Sequence, residues 1–157
     1  MADLRIENAR VLFKNFSGKE KRNANNKIVN REGARNFNII IDDSEVAEQL
    51  KADGWDIKQT AVNDEGEFLY RLPVHIRFDN FPPQITMVSG KKQKQLDEES
   101  IGCLDNAEIE YCDICLNPYH YEVQEKTGIK AYLKIAYFVI NVDPWEEKYA
   151  LMQAPEE

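Results

Sequence analysis

The stretch YHYEVQEKTGIKAYLKIAYFVIN, residues 119–141, carries the pattern from which the fold is read. Aromatic and β-branched residues crowd both of its halves, and Glu125-Lys126-Thr127 joins them, so it predicts strand Tyr119–Gln124 followed by strand Gly128–Asn141. Such a hairpin sets an all-β expectation for its surroundings.

Working outward, Ala107–Leu116 reads as a further strand and Asp97–Asp105 as a short helix. Gln84–Ser89 is a short strand between the breaker Pro82-Pro83 and a tight turn at Gly90-Lys91-Lys92. Trp55–Thr60 and Phe68–Phe78 form a hairpin around Asn63-Asp64-Glu65-Gly66. Asp42-Asp43-Ser44 caps a helix over Glu45–Ala52, which Gly54 stops. Ala34–Ile41 is a buried strand, and Leu4–Phe16 is another, with an irregularity marked by Asn8. Ser17–Glu32, rich in Gly, Asn, Lys and Arg, is a long loop or flexible hairpin. Many short strands, regular turn signals and one clear helix predict a mainly β domain, a closed or nearly closed antiparallel barrel. A β-sandwich is the rival arrangement.

The 157 residues suit one domain, expected over 1–142, with an acidic C-terminal tail over 143–157. No apolar run reaches bilayer length, and three cysteines, an odd number, point to reduced thiols in a cytoplasmic setting. A net charge of -8 argues against a nucleic-acid partner until it is mapped: Arg10 to Arg35 holds eight basic residues and two acidic ones, a local +6 that leaves -14 for the rest. This asymmetry predicts a cationic face on an acidic body, or else a solvated basic loop.

Enzyme chemistry finds no foothold. His75 and His120 stand in no nucleophile or metalloprotease motif, the carboxylates cluster at caps and turns, and no glycine-rich phosphate cradle is present. Cys112 and Cys115 form a CxxC near Cys103 and His120, but an odd spacing sends strand side chains to opposite faces. No metal and no cofactor are therefore expected. The remaining signal is the interleaving of cations and aromatics: Arg35 with Phe37, Trp55 with Lys58, Tyr70 with Arg71, and Tyr132 with Lys130 and Lys134. A positive groove with exposed rings is what holds single-stranded nucleic acid irrespective of sequence, although any one of these rings can equally be core packing.

Gly33-Ala34-Arg35-Asn36-Phe37, Asp53-Gly54-Trp55, Leu72-Pro73-Val74, Pro82-Pro83, Leu96-Asp97-Glu98, Asn117-Pro118-Tyr119 and Gly128-Ile129-Lys130-Ala131-Tyr132-Leu133-Lys134 occur in an order and spacing that resembles phage and prophage single-stranded-DNA-binding proteins. The resemblance implies an OB-like barrel, a role in phage DNA replication or recombination, and no enzyme activity. Single-stranded DNA is then the expected ligand. Lys14, Lys19, Lys21, Arg22, Lys27, Arg31 and Arg35 are the candidates for phosphates, and Phe37, Trp55, Tyr70 and Tyr132 for stacking on bases. The chain ends Gln153-Ala154-Pro155-Glu156-Glu157, without the terminal aromatic that closes the acidic tail of many such proteins. Replication proteins of phage or host are the partners such a tail would meet, and self-association stays open. A protein-interaction or virion-structural β-domain is the competing class.

Overall fold

The computed structural model describes residues 2–79 and 81–141; the expected acidic tail lies outside them. The elements are β1 (Leu4–Asn15), β2 (Lys21–Arg22), β3 (Ile28–Asn30), β4 (Arg35–Ile41), α1 (Ser44–Ala52), β5 (Lys58–Ala61), β6 (Phe68–Ile76), β7 (Gln84–Ser89), β8 (Lys92–Leu96), a 3-10 helix (Ile101–Asp105), β9 (Ile109–Val123) and β10 (Lys126–Ile140).

Strands β6, β4, β1, β9 and β10 are neighbours in that order, and β10 pairs back onto β6 to close a five-stranded barrel. The closed barrel is thus the observed arrangement, not the sandwich. Its closing seam, Val74 to Ala131 and His75 to Tyr132, is the one parallel pairing of the otherwise antiparallel barrel. The reason is arithmetic: five strands around a ring cannot all alternate in direction, so one seam must run parallel. The sheet continues past the barrel on both sides, through β5 on β6 and through β7 and β8 on β10.

Long β1 pairs first with β9 and then with β4, and it turns this corner through two irregularities. Asn8 sits at one with a φ of 54°, its N–H held by Asp113 Oδ1 at 2.8 Å, and Phe13 sits at the other with a φ of 52°. Bulges of this kind bend a strand and let a barrel close. Alternation along the strands then fills the interior with Phe37, Ile39 and Ile41 from β4, Leu72, Val74 and Ile76 from β6, and Ala131 and Leu133 from β10. Phe16, Phe37 and Phe138 form the aromatic centre of the core, with ring centroids 5.2–5.4 Å apart. Each fully buried ring contributes about 1.5–3 kcal/mol.

Helix α1 begins where Asp43 Oδ1 accepts from the N–H groups of Glu45 and Val46, and the N–H of Gly54 closes its end on Lys51 O. Ser17–Glu32 is a small hairpin of β2 and β3. Its neck is set by glycines: Gly33 N–H donates to Gly18 O at 2.8 Å, both have positive φ, and a Cβ on Gly18 would come within 3.1 Å of the Gly33 carbonyl carbon.

Besides shifts of one or two residues at strand ends, four features differ from expectation. Asn117-Pro118 does not break β9, which runs unbroken from Ile109 to Val123. The pairing of β1 with β9 starts at Leu4 opposite Leu116, so Pro118 lies on an edge where a missing N–H leaves no ladder bond unmade. Trp55 makes only an isolated bridge to Ile129, and β5 starts at Lys58. Lys92–Leu96 is strand β8, which its polar sequence KQKQL conceals. The helix expected over Asp97–Asp105 is a 3-10 turn over its second half.

Candidate nucleic-acid interface

Because Val74, Ile76, Ala131 and Leu133 point into the barrel, their neighbours His75, Arg77, Lys130 and Tyr132 lie on its outer surface. Strand register lines up Asn36, His75, Tyr132 and Asn117 as one row across β4, β6, β10 and β9. The Tyr132 ring lies 5.5 Å from His75 and 5.5 Å from Tyr119, which is exposed and opposite Lys130 in the ladder. Three rings therefore run across the parallel seam.

Cations border this strip. The Arg77 guanidinium stands 6.0 Å from the Tyr132 ring centroid and is oriented by Asp79 through bonds of 3.2 and 2.7 Å. Lys130 Nζ lies 5.2 Å over the Tyr121 ring. Burial and then the charge of Lys130 lower the His75 pKa below its usual value, against a weaker pull from Asp56. At neutral pH His75 thus presents a flat, uncharged ring.

Beside the strip opens a groove of about 700 Å³ bordered by Arg31, Arg35, His75, Phe78, Lys130 and Tyr132, among others; Asp79 and Glu98 also reach it. Arg35 packs 5.4 Å over the Phe78 ring and pairs loosely with Glu98 at 3.6 Å. Its Nε is buried without a hydrogen-bond partner. Leaving such a buried N–H unmade costs roughly 1–3 kcal/mol, so the groove-facing part of Arg35 is its terminal guanidinium nitrogens, which the Glu98 pair holds only loosely.

Of the stacking candidates, only Tyr132 reaches this surface. Phe37 is fully buried between Phe16 and Phe138, so no base can reach its ring. Two residues apart on a strand, Arg35 and Phe37 do share a face, but that face is the barrel interior and Arg35 sits at its mouth. Trp55, 5% exposed, belongs to the core as well. Tyr70 is far along β6, donating to Glu48 Oε1 of α1 at 2.6 Å and packing edge-on against Phe68. Among the cations, Lys14 is taken up internally: its ammonium donates to the carbonyls of Leu104 and Ala107 behind the 3-10 helix. Lys19, Lys21, Arg22, Lys27 and Arg31 are all exposed on or beside the β2–β3 hairpin, with Arg22 engaged by Glu20 and by Asn26 O.

His75, Arg77, Phe78 and Tyr119 also border this surface without being singled out by the sequence, and Lys130 enters its pattern only as a neighbour of Tyr132. The signal was present as alternating positions on β6 and β10, but which alternate face is wet follows only from the barrel's closure. Cys112 is buried, which pushes its thiol up to about 12 with help from Asp113, whereas Cys115 Sγ lies 4.0 Å from Asp3 Oδ2. Among the described residues no three His, Cys, Asp or Glu side chains converge as metal ligands.

The family model described as "Putative phage ssDNA-binding domain" matches residues 1–157. The chain belongs to this phage single-stranded-DNA-binding family. Its fold is shared with the single-stranded DNA-binding protein of bacteriophage Enc34: TM-score 0.55 at 11% identity, covering 91% of this chain and 83% of that one. A C-terminal truncation of the same phage protein gives TM-score 0.52 at 13% identity, over 90% and 87%. No curated protein matches the chain by sequence. Among the described residues no helix is long and apolar enough to cross a membrane.

Proposed function

We propose that single-stranded DNA crosses the outer face of β9, β10 and β6, stacking bases on Tyr119, Tyr132 and His75 while Arg77, Lys130, Arg35 and Arg31 hold its phosphates. The observation that carries this route is the ring row spanning the parallel seam with the cationic groove alongside. Stacking on such rings is sequence-tolerant, because every base has a π-face. The basic β2–β3 hairpin, carrying Lys19, Lys21, Arg22 and Lys27, extends the positive field beyond the groove. The overall -8 does not oppose this, as counterions screen distant charges within about 10 Å.

In this reading the protein coats and protects single strands during phage DNA replication or recombination, acts in the host-cell cytoplasm and performs no catalysis itself. Residues 1–142 supply the binding domain, and the acidic 143–157 segment is left for contacts with replication proteins.

The test is fluorescence-anisotropy titration of single- and double-stranded oligonucleotides over a salt series. Tyr132→Ala lowers single-strand affinity by about 1–3 kcal/mol with little change in salt slope, and Lys130→Ala lowers both affinity and slope. Equal binding of duplex and single strand, or full affinity in Tyr132→Ala, refutes the route.

A further inference from the structure

Phe81 is the most exposed large apolar side chain among the described residues, at 90%. Nothing in the fold uses its ring. The N–H of Phe81 donates to Asp79 O at 3.0 Å, and the following Pro82-Pro83 restricts the chain, with Pro83 buried. A ring held out in water beside two prolines resembles a preorganised contact, because the prolines already restrict the chain that carries it.

Its neighbours give the contact a chemical identity. Phe81 borders a recess of about 160 Å³ together with Tyr119, Tyr132, Asn117, Arg77 and Leu133. Three aromatic residues from three elements, the β6–β7 loop, β9 and β10, thus meet around one small opening. The recess is smaller than the 300–1,000 Å³ typical of drug-sized ligand pockets, which suits a single ring system. Apolar and aromatic groups supply stacking surface, the Asn117 amide supplies in-plane hydrogen bonding, and Arg77, paired with Asp79 of the same lining at 3.2 and 2.7 Å, is the one cation there for an attached phosphate to share.

We propose that this recess is a discrete single-nucleobase pocket, in which the one base that passes over Tyr119 and Tyr132 also seats against Phe81. The proposal rests on the route described under Proposed function and adds a fixed register to it. One nucleotide of each binding site is held individually, while its neighbours lie along the outer face. Since aromatic stacking accepts any base, the pocket fixes position without imposing sequence.

The experiment pairs Phe81→Ala with an oligonucleotide series in which one abasic site is moved along the strand, read by anisotropy on the full chain. The ring is exposed, so truncation leaves folding intact, which circular dichroism verifies. Wild type is expected to show one abasic position that weakens binding about tenfold. Phe81→Ala is expected to lose a similar factor on intact DNA and to become indifferent to that position, while Phe81→Trp retains binding. An abasic profile identical in wild type and Phe81→Ala, or unchanged affinity in Phe81→Ala, overturns the pocket. If Tyr132→Ala weakens binding in the same assay while Phe81→Ala does not, the pocket falls and the route stands. Loss of dependence on both residues removes the route as well.

Discussion

Phe37→Ala separates the two meanings that an aromatic beside an arginine can have. The ring is fully buried and touches Phe16, stacked at 5.2 Å, and Phe138, edge-on at 5.4 Å. Truncating a buried Phe costs about 3–5 kcal/mol. The upper part of that range applies, because the lining rings of Phe16 and Phe138 are themselves enclosed, and β10, which carries Phe138, is tied into ladders that resist collapse into the cavity. For a domain of this size each kcal/mol moves the melting temperature by about 2–4 °C, so a loss of 4–5 kcal/mol predicts a fall of roughly 8–20 °C. Thermal unfolding followed by circular dichroism measures it. Single-strand affinity, measured cold where the variant is still folded, should stay within about threefold of wild type, since the ring reaches no solvent. A melting temperature within about 3 °C of wild type, joined to a tenfold loss of affinity, would place the ring on the DNA and refute the core assignment.

His75 has its pKa lowered in the folded chain by burial and by Lys130, so the native state resists protonation more than the unfolded state does. Its contribution to stability is complete above the usual histidine value near 6.5 and is lost as pH falls through the lowered one. His75→Gln should therefore flatten the decline in melting temperature between pH 7 and pH 5, and an unchanged slope would contradict this. At Gly128 an added Cβ would lie 2.5 Å from Tyr121 Oη and under 3 Å from its ring. Gly128→Ala should thus push Tyr121 off Asp56, now bonded at 2.7 Å, and destabilise by about 1 kcal/mol or more. In a Tyr121→Ala background that loss should vanish; a penalty of the same size there would locate the clash elsewhere.

Much of the fold was legible because it rests on local signals. The Asp43 cap, the Gly54 stop and the Asn63–Gly66 turn are short-range chemistry, and the structure uses each where the sequence placed it. Pro118 misled for the opposite reason: whether a proline breaks a strand depends on a neighbour, here β1, that lies more than 100 residues away in sequence. The site divides in the same way. Charge density identified the basic hairpin, since exposed lysines and arginines need no tertiary context. Ring exposure did not follow, because Phe37 and Tyr132 are both strand aromatics next to cations, and only barrel closure turns one inward and the other out. Lys14 shows a further limit, as a cation in a basic run was taken by two backbone carbonyls that no local pattern announces.

The parallel seam has a consequence for the order of assembly. His75 and Tyr132 become neighbours only when β10, the last described strand, docks beside β6. Until that docking His75 has no Tyr132 beside it, whereas the lysines and arginines of the β2–β3 hairpin do not depend on the seam. Non-local pairings of this kind form late because loop closure precedes their reward. On the proposed route, then, the stacking strip and the closure of the barrel stand or fall together, because the same β6–β10 seam makes both.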